Sequence, residues 1–216
     1  MKTTAVILLC LINSSVLAQE FVFVFLNKKQ QSTELPLEQL NVLMEGHMAN
    51  IRRLAKEGKL VAAGPFDGGG GIFIFKSNSV QQVDEWLNTD PAIQAKRWDV
   101  EKFPYEPRVG SACAVAEPIE MTNYYLVRFG INITKYSIGE MSKEIRVHDL
   151  YLKKLMEVLG VIAEGSLGEQ EGGILVAKTE PAKELIEKDP SIQRGAIEFE
   201  IKKLYIAKGS FCEPRL

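Results

Sequence analysis

The chain has 216 residues, 26 basic and 28 acidic side chains, 46% hydrophobic residues and a formal charge of -2. This composition is typical of a globular protein and excludes disordered, collagen-like and disulfide-dense chains. The near-neutral charge, with no concentrated basic run, argues against nucleic acid as a partner.

The first eighteen residues predict a secretory signal peptide. Lys2 supplies a short basic region, residues 5–12 are largely apolar, and Ala18 ends a small-residue cleavage site. The apolar run is too short for a transmembrane helix and no later run is longer, so no membrane span is expected. Cleavage after Ala18 predicts a secreted or periplasmic protein.

The rest of the sequence predicts two copies of a βαββαβ unit, the ferredoxin-like order of an α+β protein. Apolar runs bounded by turn residues predict strands, and apolar residues spaced three or four apart predict helices. The first copy has strands near 20–26, 60–64, 71–76 and 97–105, and helices near 36–57 and 79–89. The second copy has strands near 123–129, 161–165, 172–178 and 199–207, and helices near 137–159 and 180–188.

The repeat suggests the domain boundaries. They are a signal peptide at 1–18, a first domain at 19–108, a linker at 109–121 and a second, more divergent domain at 122–216. The first strand is apolar on both faces, with Phe21, Phe23 and Phe25 on one side, so its sheet needs cover on both faces. We therefore expect the two sheets to pack against each other, with the long helices outside.

The first copy resembles the YCII-related (YciI) family. The motifs that carry the resemblance are a helical histidine, a glycine that follows it, a Gly-Pro after the second strand and an Asp-Pro after the second helix: His47, Gly58, Gly64-Pro65 and Asp90-Pro91. The resemblance implies the dimeric α/β-barrel arrangement, formed here within one chain. It also implies that the histidine and the aspartate act as a pair beside a small-molecule cleft.

The second copy departs from the family pattern in its second strand but keeps the pair. Ser166 stands in place of Pro65, and Glu164 in place of Ala63. His148 and Asp189 are retained, so the second copy carries a doubtful counterpart of the first site.

His47 and His148 are the only histidines of the sequence. Each falls in a gap of an apolar helical stripe, so each imidazole is expected to lie buried and to face the sheet. One interpretation is a core histidine satisfied by hydrogen bonds; the other is a general acid or base. The small residues near Gly64 favour His47 as the histidine beside the more open cavity.

The other candidate site residues also have structural interpretations. Asp90 and Asp189 precede proline, as helix N-caps do, and a capping carboxylate can still orient a histidine. Gly64, Pro65 and Asp67 are candidate substrate-binding residues, although Asp67 also suits a turn. The glycines at 68–71 precede a strand rather than a helix, so they predict a hairpin turn and not a nucleotide loop.

Three functions remain open. The first is a cofactor-independent isomerase or lyase that uses histidine–aspartate acid–base chemistry on a small organic molecule. The second is a non-catalytic small-molecule-binding protein of the cell envelope. The third and weakest is haem binding, which needs a large apolar cavity. No metal-ligand motif occurs, so neither a metal nor a cofactor is expected. A homo-oligomer of the paired domains also remains open.

Cys113 and Cys212 occupy equivalent positions after the last strand of each copy. Export to an oxidising compartment would permit a disulfide between them. Free buried thiols are the alternative.

Overall fold

The computed structural model describes residues 21–29, 35–169 and 171–212. The predicted signal peptide at 1–18 lies outside the described residues. Within them, no helix is long and apolar enough to cross a membrane.

The first half contains four strands and a long helix, in the predicted order. Its elements are β1 (Phe21–Lys28), α1 (Leu37–Lys56), β2 (Leu60–Pro65), β3 (Gly71–Lys76), α2 (Val80–Leu87), α3 (Pro91–Gln94) and β4 (Trp98–Val109). The helix expected at 79–89 is shorter than predicted, because the Ser79 side chain caps its start and the chain then begins the separate helix α3. Strand β4 extends four residues beyond its predicted end at 105.

The second half follows the same order of elements. After β5 (Ser111–Ala112) come β6 (Met121–Ile131), α4 (Ile138–Leu159), β7 (Val161–Leu167), β8 (Gly173–Ala177), α5 (Lys183–Ile186), α6 (Pro190–Gln193), β9 (Ile197–Ala207) and β10 (Phe211–Cys212). Ser137 and Glu140 form a capping box at the start of α4, and Gly160 ends it in the left-handed conformation. The common order agrees with the predicted repeat; its origin by duplication stays a prediction.

The eight long strands form one antiparallel sheet in the order β2-β3-β1-β4-β7-β8-β6-β9. The two halves join along a first seam, where β4 pairs with β7. At a second seam the sheet closes on itself: Phe66 bridges to Leu204, and the Asp67 amide donates to the Lys203 carbonyl at 2.9 Å. One chain thus builds a closed α/β barrel from two ferredoxin-like sheets, as predicted.

Within the described ranges, the buried apolar residues form three clusters. The largest fills the barrel with side chains from both halves, including Phe23, Phe25 and Leu126. The other two lie between each half-sheet and its helices. The side chains of β1 alternate between the barrel interior and the helices, which confirms the expectation that both faces of this strand are covered.

Two glycines permit the close contact of strands at the seams. A Cβ atom on Gly64 would lie 2.5 Å from the Tyr205 carbonyl oxygen, and one on Gly165 would lie 2.4 Å from the Glu106 carbonyl oxygen. Because a side chain cannot occupy either space, glycine is required where the half-sheets meet.

The segment predicted as a linker, 109–121, has structure of its own. Its strand β5 pairs with β10, and Cys113 forms a disulfide with Cys212, with 6.0 Å between the two Cα atoms. Ala112 and Phe211 from this ribbon belong to the barrel core. The ribbon therefore covers part of the barrel interior and ties the middle of the chain to its end.

Candidate functional site

The structure brings His47 and Asp90 together. His47 lies on α1 and Asp90 caps α3, and the His47 Nδ1 atom is 2.7 Å from Asp90 Oδ2. Both side chains are buried. Asn50 also donates to Asp90 Oδ2, at 3.4 Å.

The second half repeats this arrangement. His148 lies on α4 and Asp189 caps α6, with 2.6 Å between His148 Nδ1 and Asp189 Oδ2. Both residues are again buried. The sequence thus identified both histidine–aspartate pairs, although the two members of each pair are about forty residues apart along the chain.

Each aspartate both caps a helix and binds a histidine. Asp90 Oδ1 accepts hydrogen bonds from the Ala92 and Ile93 amides at 2.9 and 3.3 Å, which leaves Oδ2 for His47. Asp189 Oδ1 likewise accepts from the Ser191 amide at 2.8 Å. The two interpretations of the Asp-Pro motif are therefore compatible, because the helix start holds the carboxylate in place for the imidazole.

Both imidazoles contact aromatic rings. The His47 ring centroid lies 5.0 Å from that of Trp98 and 5.9 Å from that of Phe73, and the His148 ring centroid lies 4.7 Å from that of Phe129. The two histidines are equally buried, each 6% exposed.

His148 also borders a cavity of about 60 Å³. Ile197 lines this cavity, and an adjoining open cleft of about 590 Å³ shares Arg108, Ile145 and Glu169 with it. The sequence favoured His47 for the more open position, and that stays a prediction; the structure describes a cavity beside His148. Trp98, which lies against the His47 ring, holds the position equivalent to that of Ile197.

A charged group beside His148 was not predicted as part of the site. Arg108, from the last strand of the first half, donates through Nε to both Glu164 oxygens at 3.2 and 3.1 Å and through Nη1 to Asp149 at 2.9 Å. Its Nη2 also pairs with Glu164, which is only 2% exposed. Burial alone would lower the pKa of Arg108, but hydrogen bonds to Glu164 and the negative charges of Glu164 and Asp149 outweigh burial and raise it.

One sequence signal pointed to this ion pair. Glu164 stands where the first copy has an alanine, and a buried carboxylate on a strand requires a cationic partner. The partner itself comes from the other half of the chain, so spacing within one repeat could not identify it.

Gly64, Pro65 and Asp67 lie along the second seam of the barrel. Gly64 packs against β9, and Asp67 hydrogen-bonds to its backbone. These contacts give Gly64 and Asp67 a structural role in barrel closure. A role of the three residues in substrate binding stays a prediction.

Neither a metal ion nor haem fits these residues. The described part of the chain contains no cluster of three or more histidine, cysteine, aspartate or glutamate side chains suited to a metal. Haem ligation needs a histidine nitrogen that faces a space for the macrocycle. The cavity of about 60 Å³ that His148 lines is far too small for the macrocycle, and His148 does not line the adjoining cleft of about 590 Å³. His47 is buried, with Trp98 and Phe73 against its ring.

The geometry defines the chemistry open to His148. Its Nδ1 faces the buried Asp189 carboxylate, which favours the tautomer with the proton on Nδ1 and a lone pair on Nε2. An imidazole held in this way can accept a proton at Nε2 and return it, while the carboxylate stabilises the transient positive charge.

Solved structures with a similar fold come from diverse proteins. A candidate monooxygenase from Lactobacillus acidophilus NCFM is 13% identical, with a TM-score of 0.45 over 91% of this chain and 99% of its own. A haem-binding protein from Thermus thermophilus is 13% identical, with a TM-score of 0.47 over 88% of this chain and 90% of its own. At these identities and TM-scores nothing about ligand or activity follows from the likeness.

The sequence itself matches a domain family. No curated protein matches the chain. The family model for the YCII-related domain matches residues 21–103, which run from the start of β1 into β4 and include both His47 and Asp90. Residues 21–103 of the first half therefore match the YCII-related domain family.

Proposed function

We propose that this chain is an exported protein that binds a small organic molecule beside His148 and performs acid–base chemistry on it. The observation that carries the proposal is the position of His148, which is held by the buried Asp189 and borders a cavity. The reaction is of the isomerase or lyase type, since both need only a group that removes and returns a proton.

In this reaction His148 Nε2 takes a proton from a carbon of the bound molecule, and the electron pair left behind forms a new double bond. In an isomerisation an adjacent double bond shifts at the same time, and the same imidazolium returns the proton to the carbon at its far end. In an elimination the leaving group departs with its bonding electron pair, and the imidazolium then gives it the proton. Asp189 orients the ring throughout and stabilises its positive charge.

The first half has a different part in this proposal. The His47–Asp90 pair connects α1 to α3, and the His47 ring packs against Trp98 and Phe73. We assign it a structural role, while β4 of this half supplies Arg108 to the site in the second half.

The proposal of export is supported by the disulfide between Cys113 and Cys212, since structural disulfides are rare in reducing compartments. It predicts a mature protein that begins after Ala18.

The test uses wild type, His148→Gln and His47→Gln, each incubated with a defined library of small metabolites. Mass spectrometry records which compounds are retained and which are transformed. We expect wild type and His47→Gln to transform the same compound, and His148→Gln to be about 10²- to 10⁴-fold slower. Equal turnover by His148→Gln contradicts the proposal. A compound that wild type retains unchanged supports the non-catalytic binding protein instead.

A further inference from the structure

We propose that the cavity at His148 selects small organic cations, such as primary ammonium compounds, over anions of the same size. This inference rests on the proposed function, because it concerns the ligand of the same site. It follows from the charges of the side chains that line the cavity and the adjoining cleft.

The positive charge of the arginine in the site is already balanced by carboxylates. Three of its nitrogens already donate to carboxylates: Nε and Nη2 to Glu164, and Nη1 to Asp149. The two remaining N–H groups, one on each terminal nitrogen, lie beside these carboxylates. An anionic ligand that approaches them would meet the negative charges of both Glu164 and Asp149.

The remaining charges of the lining are negative. Glu106 and Glu169 line the open cleft, and no ion pair or hydrogen bond of either side chain is found among the described residues. The combined negative charge of Glu164 and Asp149 exceeds the single positive charge of Arg108. The exposed carboxylates of Glu106 and Glu169 add further negative charge. The potential at the cavity mouth is therefore negative, and it attracts cations and repels anions.

The size of the cavity limits the ligand as well. A volume of about 60 Å³ beside His148 holds only a few non-hydrogen atoms, whereas the cleft of about 590 Å³ accepts a longer polar part. A short carbon chain with its reacting carbon at His148 and an ammonium group in the cleft satisfies both spaces.

The test is a ligand titration that follows the imidazole NMR signals of the disulfide-bonded protein. The chain has only two histidines, so His47→Gln and His148→Gln assign both signals. Three probes of nearly equal size are compared at constant ionic strength: propylammonium, propanamide and propionate. We expect propylammonium to shift the His148 signal at a concentration at least tenfold lower than propionate, with propanamide between them.

Charge variants show whether the lining carboxylates cause the preference. Glu169→Gln and Glu106→Gln should each weaken propylammonium binding roughly two- to threefold, the effect of one screened charge at several ångströms. Glu45→Gln, an exposed carboxylate on α1 of the other half, should leave binding unchanged.

The outcomes separate this inference from the proposed function. If propionate shifts the His148 signal at the same concentration as propylammonium or a lower one, the preference for cations is wrong and the ligand site stands. If none of the probes shifts the His148 signal, both the preference and the ligand site are wrong.

Discussion

Trp98 and Ile197 occupy equivalent positions in the two halves, each eight residues after the aspartate that binds the histidine. Trp98 pairs with the end of β1, and Ile197 pairs with the end of β6. The indole packs against His47, whereas Ile197 lines the cavity beside His148. The two histidines are equally buried, so the difference in side-chain size distinguishes what packs beside each ring: an indole at His47 and a cavity at His148.

Exchange of this side chain should close the site. In Ile197→Trp the indole should fill the cavity, so that propylammonium no longer shifts the His148 NMR signal. Overpacking should lower the free energy of unfolding by about 1–3 kcal/mol. Ile197→Val, the control, should cost about 0.5–1.5 kcal/mol and keep the ligand response. A full response in folded Ile197→Trp would show that the ligand binds elsewhere.

The two aspartates should differ in their effect on activity. Asparagine can still cap a helix, so Asp189→Asn should leave helix α6 intact and Asp90→Asn should leave helix α3 intact. Asp189→Asn loses the carboxylate that orients His148, and its turnover should fall by about 10²-fold or more, the contribution of a general base. Asp90→Asn should retain turnover close to that of wild type, because the His47–Asp90 pair is assigned a structural role. The opposite ranking in a kinetic assay would assign the reaction to the first half.

The sequence predicted those features of the candidate site that depend on local residue patterns. The helical position of both histidines follows from apolar spacing, and the capping aspartates follow from the Asp-Pro motif. Arg108 escaped prediction because strand β4 was expected to end at 105. Pro104 and Pro107 interrupt its pattern, but pairing with β1 and β7 continues the strand to Val109.

The contacts at the seams of the barrel also join residues that are far apart in the sequence. Gly64 contacts a strand more than a hundred residues later, and no local pattern announces that contact. A sequence can therefore mark Gly64 as special without revealing whether it approaches a ligand or another strand.

The seam glycines provide a test of barrel closure. Gly64→Ala and Gly165→Ala would place a methyl group 2.5 and 2.4 Å, respectively, from a backbone carbonyl oxygen. Each should lower the free energy of unfolding by at least about 2 kcal/mol, because backbone must move. Gly139→Ala on α4 meets no atom within 4 Å and should stabilise by up to about 1 kcal/mol. Chemical denaturation measures all three, and unchanged stability of both seam variants would contradict the close contact.

The disulfide should make a large contribution to stability. Cys113 and Cys212 are 99 residues apart, and closing a loop of this length stabilises by about 4–5 kcal/mol in the chain-entropy model. The Cys113→Ser, Cys212→Ser double variant should lose a large part of this stabilisation. Denaturant unfolding without reductant measures the loss. A thiol assay on denatured, unreduced protein that begins after residue 18 should find none. Two titratable thiols per chain would show that the bond is absent.

Glu101 and Arg128 link the two halves across the mouth of the barrel, beside a cavity of about 400 Å³. Arg128 donates to the Glu101 oxygens at 2.8 and 3.1 Å and lies over the ring of Phe25. The hydrogen bonds from Arg128 lower the pKa of Glu101, against the opposing effect of burial. Glu101 therefore stabilises the folded state at pH values above the pKa that it has in the unfolded chain. This stabilisation is lost as the pH falls through the pKa that it has in the folded state.

Glu101→Gln should therefore be less stable than wild type by about 0.5–1 kcal/mol near neutral pH, a value limited by the partial exposure of the pair. The difference should disappear as the pH falls through the lowered pKa that Glu101 has in the folded state, because wild-type Glu101 then loses the charge that the variant lacks. Thermal or denaturant unfolding at several pH values measures this, with Glu45→Gln as a control for an exposed carboxylate. A stability difference that stays constant down to low pH would show that Glu101 contributes through packing rather than through its charge.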